Sequence, residues 1–437
     1  DAWYKYAASD LLPQGTRCAN CNGTGFRKET DILDVWFDSG SSHLAVLGHR
    51  PDAPWPADLY FEGLDQYRGW FHSSLLVALG VKDAAPYRTV LTHAWVLDAE
   101  GRPMSKSLGN YVAAADFIEK YGAEIFRLLA ASVDYRGDVR MGPALFEQSA
   151  EAYRKIRNTF RYCLSNLNGF DPGRDALPNE KLEELDRWML GRAADLAARC
   201  RAAYDRYEFF KVYHALYSFC TVDLSALYFD ILKDRLYTSH PSSPARRSAQ
   251  TALHRIGDAL VRIAAPFLVF TTEEVWQHLP GVTTRAASVH LTEFPQPKEI
   301  DAGLPADKAA RWEKLFEVRG EVLKALERAR QAKTIRGSLD AQVTLRADGD
   351  WAALLADYKD QLRYLFIVSA VQLSRDSVPE VQPSDLPGLA IAVRAADGAK
   401  CARCWNYSPK VGSFSIHPAV CERCAPVLEK LSAGASA

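Results

Sequence analysis

Two C-x-x-C pairs near the carboxyl end, Cys401-Ala402-Arg403-Cys404 and Cys421-Glu422-Arg423-Cys424, stand sixteen residues apart and constrain this chain most tightly. Each pair presents two thiolates to one side, and two such knuckles complete a tetrahedron around Zn2+. Four protein ligands close the coordination sphere. The spacing therefore predicts a structural metal, and a short tail that draws its folding energy from it. Arg403 and Trp405 lie beside the first knuckle, with Tyr407, Lys410 and Arg423 close in sequence. Such a mixture suits RNA backbone contact and base stacking, and equally a packing tryptophan among surface charges. The full count of nine cysteines is odd, which favours metal-bound thiols in a reducing cytoplasm over a disulfide framework. Cys18 and Cys21 form a further C-x-x-C without a second pair nearby. They are either half of a four-thiolate site or two free thiols. Cys163, Cys200 and Cys220 fall singly in helical patterns and read as core.

The remaining length must hold several cores, because 437 residues suggest two to four domains. A formal net charge of −1 leaves any RNA contact to local basic faces. No apolar run is read as a membrane span, and no membrane partner is expected. Asp1 to Tyr6 carry neither a starting methionine nor a signal-peptide pattern and read like the interior of a longer protein. Val90 to Leu97 reads as a buried strand and Gly69 to Leu79 as a helix, an order that suggests part of a parallel α/β sheet. Asp116 with Glu119 predicts a capping box, and Ala123 to Ser132 a helix. From Pro143 to about Leu279 the pattern is one of long amphipathic helices, broken at Asn168–Gly173 and His240–Pro244, as in an antiparallel bundle. A turn-rich connector (280–305) leads to a helix at Arg311–Gln331. Strands at Ala341–Leu345, Val371–Leu373 and Leu389–Val393 follow, with a helix at Trp351–Leu365, as in a small α/β module.

One loop carries more chemistry than the rest. Gly101-Arg102-Pro103-Met104-Ser105-Lys106-Ser107-Leu108-Gly109-Asn110 places one lysine among hydroxyls and glycines, between a strand pattern and a helix pattern. A compact ammonium with flanking hydroxyl and amide donors suits phosphate oxygens. Met104-Ser105-Lys106-Ser107 resembles the KMSKS loop of class I aminoacyl-tRNA synthetases, with Pro103 in place of the family's first lysine. Two further strings, Asp31 to Gly40 and Tyr60 to Phe71, resemble the isoleucyl branch of that family. The resemblance continues through Arg154-Lys155-Ile156-Arg157-Asn158-Thr159 and Asp186-Arg187-Trp188 to the cysteine tail, and covers practically the whole chain.

The resemblance implies a multidomain architecture. Residues 1–142 would be the second half of a Rossmann-like parallel α/β catalytic domain. Residues 143–300 would be a helical anticodon-binding bundle, 301–395 a small α/β junction module and 396–430 a zinc-binding tail. It also implies an isoleucine–tRNA ligase, with ATP and Mg2+, L-isoleucine and tRNA-Ile as partners, acting as a monomer in the cytoplasm. Lys106 would oppose charge on the departing phosphates, within an ATP loop of Met104, Ser105, Lys106 and Ser107. Glu62, Gly63, Asp65 and Gln66 would hold the aminoacyl-adenylate, and Trp36 and Trp70 would wall the isoleucine side chain. Arg154, Lys155, Arg157 and Arg161 lie at near-helical spacing and would track tRNA phosphates, although a solvated ion-paired face is the commoner meaning of such a run. No His-x-Gly-His string occurs among the ten histidines, and no stretch before Trp36 is long enough for an editing domain. The expectation is therefore a fragment with incomplete chemistry when alone. Other readings are a valyl-tRNA synthetase, a tRNA-binding module without catalysis and a zinc-dependent structural protein.

Overall fold

The computed structural model describes residues 2–111, 113–281, 285–374 and 382–434. Asp1, Val112, residues 282–284 of the expected connector and residues 375–381 lie outside the described residues. The chain divides into two compact units, one of Asp1–Ser105 with Tyr135–Met141 and one of Lys106–Asp134 with Gly142–Ala437.

In the first unit, helix α1 (Val35–Val46) starts at Asp34, whose carboxylate accepts the Trp36 N–H at 2.8 Å. Strand β1 (Ala57–Gly63), helix α2 (Trp70–Lys82) and strand β2 (Tyr87–His93) follow, and β1 and β2 pair in parallel. Parallel strands need a crossover, and α2 provides it. A Cβ on Gly40 would lie 2.8 Å from the Ser73 carbonyl carbon, so only glycine lets α1 and α2 cross this closely.

The strand expected at Val90–Leu97 is broken and only partly buried. β2 ends at His93, the Trp95 N–H turns to Asp138 Oδ1 at 3.0 Å, and β3 (Val96–Leu97) pairs instead with β4 (Val139–Arg140). The break marks a change of strand partner.

The second unit opens with helices α3 (Ala114–Tyr121) and α4 (Ala123–Ser132). The expected capping box at Asp116 is absent. Ala113 occupies the cap, and Asp116 sits a turn inside the helix, where its charge still favours the amino end. Helices α5 (Pro143–Asn166), α6 (Glu184–Asp205), α7 (Phe209–Thr238), α8 (Pro244–Ala264) and α9 (Val269–His278) form the bundle. Phe219–Tyr228 within α7 is π-helical, and the Ser225 hydroxyl bonds back five residues to the Cys220 carbonyl at 2.7 Å. Against the sequence expectation, α7 has the length and apolar composition of a membrane-crossing helix. Here it is a core helix, with Val212, Leu216, Phe219, Leu224, Tyr228 and Leu232 buried in the bundle. Cys163, Cys200 and Cys220 are buried, as read from the sequence.

A carboxylate sits inside this core. Asp186 is fully buried, bonded by both Nη atoms of Arg235 (2.6 and 2.9 Å), by the Tyr228 hydroxyl (2.8 Å) and by Ser248. Its Arg235 partner is held far above the ordinary guanidinium range by that carboxylate, despite burial.

Helix α10 (Ala306–Gln331) leads to a four-stranded sheet of order β6 (Ala370–Ser374), β5 (Ala341–Ala347), β8 (Leu389–Ala395), β7 (Gln382–Pro383). Only β5 and β6 are parallel. The single helix expected at Trp351–Leu365 is two, Gly349–Asp357 and Lys359–Phe366, broken at Tyr358, whose hydroxyl reaches Glu184 at 2.8 Å.

Candidate functional site

The carboxyl ends of β1 and β2 bring Gly63 opposite His93. In open parallel sheets this is the edge where ligands bind. Gly63 is buried, and a Cβ there would meet Asp65 Oδ1 at 2.6 Å and His93 Cε1 at 3.5 Å. Glycine is needed for that approach. Glu62 is exposed beside it, with Oε2 3.2 Å from the Gly63 N–H. Asp65 Oδ2 accepts from Gln66 Nε2 at 3.1 Å, and Gln66 Oε1 accepts the Trp70 N–H at 2.9 Å. Gln66 thus caps the start of α2 and fixes the Trp70 backbone.

The two tryptophans converge on this corner. Trp70 stacks on Tyr60 with ring centroids 4.2 Å apart and 4° between planes, and its indole N–H donates to the Ser39 carbonyl at 3.0 Å. Trp36 leans over Gly69, where a Cβ would lie 2.8 Å from the indole ring. Trp36 nevertheless remains 48% exposed, so it is a wall with an open face and not a core residue. The structure therefore brings Trp36, Glu62, Gly63, Asp65, Gln66 and Trp70 together in one cluster.

The sequence reading missed Gly69, Tyr60 and His93. His93 lies edge-on to Phe61 at 5.4 Å, and its Nδ1 is 2.9 Å from the Ala94 carbonyl oxygen. Its place at the end of a parallel strand was the available signal.

The lysine loop has a fixed base and an exposed tip. Asp98 is buried, and its carboxylate accepts the Arg102 N–H (2.7 Å) and Nε–H (2.8 Å). Gly101 at φ +82° makes the turn, and Pro103 bridges to Leu97. Ser105 closes the first compact unit and Lys106 opens the second. Met104 and Ser105 are half-buried, while Lys106 and Ser107 are exposed in the turn that ends at Gly109 (φ +67°). The Lys106 ammonium lies 5.7 Å from the Tyr111 ring centroid, a contact that leaves its three donors available to an anion.

On α5, Arg154, Lys155, Arg157 and Arg161 are all exposed. At 100° per residue, Arg154, Arg157 and Arg161 share one face and Lys155 does not. Lys155 Nζ instead donates to the Tyr217 hydroxyl at 3.0 Å. Arg154 pairs with Glu151 one turn away.

The four tail cysteines meet. Their Sγ atoms all lie within 4.8 Å of one another, and every one is buried. Cys404 and Cys421 sulfurs are 3.6 Å apart. A tetrahedron with Zn–S bonds of about 2.3 Å has edges of about 3.8 Å, so the four sulfurs already stand near the spacing that zinc requires. Cys404 and Cys421 are pushed up to about 12, by crowding with the Cys424 thiol in the first case and by burial in the second. Only a cation at the centre makes such a group of thiolates favourable.

Arg403 sits half-buried on the bundle, where its Nη1 donates to the Thr238 carbonyl. Trp405 is 60% exposed, with Lys400 Nζ 5.7 Å from its ring centroid. At the other end of the chain, Cys18 and Cys21 form a surface knuckle. The Asn22 N–H returns to the Cys18 carbonyl at 2.8 Å, and among the described residues no further ligand joins them.

The chain is similar to known proteins along most of its length. Residues 1–142 match the family model "tRNA synthetases class I (I, L, M and V)". Residues 186–345 match "Anticodon-binding domain of tRNA ligase", and residues 398–427 match "Zinc finger found in FPG and IleRS". The chain is 52% identical over 431 residues to an isoleucine–tRNA ligase of Syntrophotalea carbinolica, covering 98% of this chain and 46% of that protein. It is 49% identical to the enzyme so named from Geobacter sulfurreducens, over 98% and 46%. The chain thus spans about half the length of the curated relatives it matches. Among solved structures, LeuRS of Agrobacterium radiobacter, in a ternary complex with tRNA and LeuAMS, aligns with a TM-score of 0.51. That alignment has 18% identity and covers 65% of this chain and 35% of that one, a likeness of fold alone.

Proposed function

Because the chain belongs to the class I tRNA synthetases, within the isoleucine–tRNA ligases by its similarity, we propose that it carries the adenylate pocket, phosphate loop, tRNA-binding bundle and zinc tail of an isoleucine–tRNA ligase. The observation that carries this is the corner at the ends of β1 and β2. There an apolar wall of Trp36 and Trp70 stands beside the exposed carboxylate of Glu62 and the polar pair Asp65–Gln66. An aminoacyl-adenylate presents an apolar side chain, an ammonium and ribose hydroxyls, which is the complementary set.

In this reading the isoleucine carboxylate attacks the α-phosphorus of ATP, delivered with Mg2+, and pyrophosphate leaves. Glu62 accepts from the ammonium or a ribose hydroxyl, and Gly63 allows the backbone to approach. Lys106, with the hydroxyls of Ser105 and Ser107 and the Met104 backbone, opposes the charge that builds on the leaving phosphates. The acyl group then passes to the terminal ribose of tRNA-Ile. Residues 1–142 supply the second half of a Rossmann-like catalytic domain, 143–300 the anticodon-binding bundle, 301–395 the junction module and 396–430 the zinc tail. Arg154, Arg157 and Arg161 follow the tRNA backbone, and Trp405 offers a stacking face. The Cys18–Cys21 knuckle is half of a second zinc site. The protein acts as a monomer in the cytoplasm.

The test is isoleucine-dependent ATP–pyrophosphate exchange by this chain joined to the half of its relatives' length that it does not cover. Exchange driven by isoleucine about 10–200-fold better than by valine is expected, the range a single methylene allows in an apolar pocket. That range takes isoleucyl-tRNA synthetase as its own standard example. Exchange preferring valine, or none while tRNA still binds, would refute the assignment.

A further inference from the structure

The two zinc knuckles share more than their cysteines. Each carries arginine immediately before its second cysteine, Arg403 before Cys404 and Arg423 before Cys424. Both side chains end on the last turn of α7. Arg423 Nη2 reaches Asp234 Oδ1 at 2.7 Å and Oδ2 at 3.0 Å, and the Thr238 hydroxyl at 3.2 Å. Arg403 Nη1 donates to the Thr238 carbonyl, one of the helix-end oxygens that no intrahelical N–H can satisfy. The same Nη1 lies 3.6 Å from Cys424 Sγ, so the first knuckle's arginine also touches a ligand of the second. Helix ends favour cations, and guanidinium groups suit both a carboxylate and a carbonyl. Arg423 is further held over the Tyr364 ring, 5.2 Å from its centroid. Elsewhere the body of the tail is tied by the Tyr407 N–H, which donates to Ser369 Oγ at 2.7 Å.

We propose that Arg403 and Arg423 form a paired anchor that couples the metal centre to the end of α7. Each arginine adjoins a metal ligand, so the closed site sets the distance between the two guanidinium groups. The two groups land on Asp234 and Thr238, four residues apart on one helix face. A four-thiolate zinc centre carries a net charge of −2, which the donor from Arg403 to Cys424 Sγ offsets. The metal therefore does two things: it folds the tail, and it arms the anchor. This rests on the functional reading in one respect. If Trp405 serves RNA binding, the arginines are positioning residues that hold its platform against the bundle.

The experiment uses the full chain, zinc-loaded, and the double variant Arg403→Gln/Arg423→Gln. Zinc content should stay at about one per chain, since no ligand is altered. Hydrogen exchange of the amides at residues 235–239 should rise about tenfold or more, as expected for a helix end released from its cover. Chelation of the unaltered chain should produce the same rise. Binding to tRNA-Ile by filter assay should weaken about tenfold, and the Arg403→Lys/Arg423→Lys pair should recover part of it. Unchanged exchange at 235–239, in the variant or after chelation, would overturn the anchor. Loss of zinc from the variant would also overturn it, by placing the arginines in the metal site itself. Raised exchange with unchanged tRNA affinity would remove the positioning role. A chain that binds no tRNA at all would sink the functional reading, while the exchange measurement still decides the anchor.

Discussion

Asp186 lies fully buried among Arg235, Tyr228 and Ser248, and removing it would strand a guanidinium in the core of the bundle. Breaking a buried pair in this way costs about 3–5 kcal/mol, so urea denaturation of Asp186→Ala should show a loss of that size. In the sequence Asp186 stood only as part of a family string; burial is what the string could not convey. Gly69 carries the opposite lesson. Its string does not single it out, because its importance comes from the distant Trp36 ring. A methyl group at Gly69 would meet that ring at 2.8 Å and Gln66 Oε1 at 2.5 Å. Gly69→Ala should therefore raise KM for isoleucine in pyrophosphate exchange by about tenfold, with kcat changed less. His254 sets a pH dependence. Burial holds its pKa below the usual 6.5, and its Nε2 meets the Pro280 carbonyl, with Asp258, Arg255 and Arg285 around it. The unfolded chain then binds a proton that the folded chain refuses. Stability from this group is full above pH 6.5 and falls as pH drops below it, by up to about 1.4 kcal/mol per pH unit. Denaturation midpoints from pH 5 to 8 should show that slope in the native chain and lose it in His254→Gln.

The lysine loop is an element whose two halves differ in exposure. The buried Asp98 pins its entry through Arg102, while the turn from Lys106 to Gly109 is exposed. Lys106→Ala should leave stability within about 0.5 kcal/mol, as for an exposed side chain. In the joined enzyme it should slow pyrophosphate exchange by about 100- to 1,000-fold, with far less effect on tRNA binding. Equal losses in both assays would remove its phosphate role. The helices were legible because apolar spacing reports directly which face is buried, and the zinc tail because four cysteines leave few alternatives. Element ends were less legible. Alanines at 114 and 115 carry the start of α3 ahead of the expected cap, since alanine is a strong helix former. The break after His93 depends on Asp138, forty-odd residues away, and no local pattern records such a partner.

At the scale of the molecule, the chain is two compact units of unequal size. The metal site lies wholly in the larger one. Chelation should therefore lower the unfolding midpoint of one transition and leave the other in place, as followed by calorimetry with and without a chelator. A shift of both transitions together would overturn this expectation. The small unit is also threaded: β4 returns to it after a stretch of about thirty residues that belongs to the large one, and pairs there with β3. No single scission can free either body intact. A polypeptide ending at Ser105 would leave Val96 and Leu97 with a bare edge, ready to pair with whatever strand it meets. Anyone dissecting the protein would need two cuts and a splice, or would mistake an orphaned strand for a poorly soluble domain.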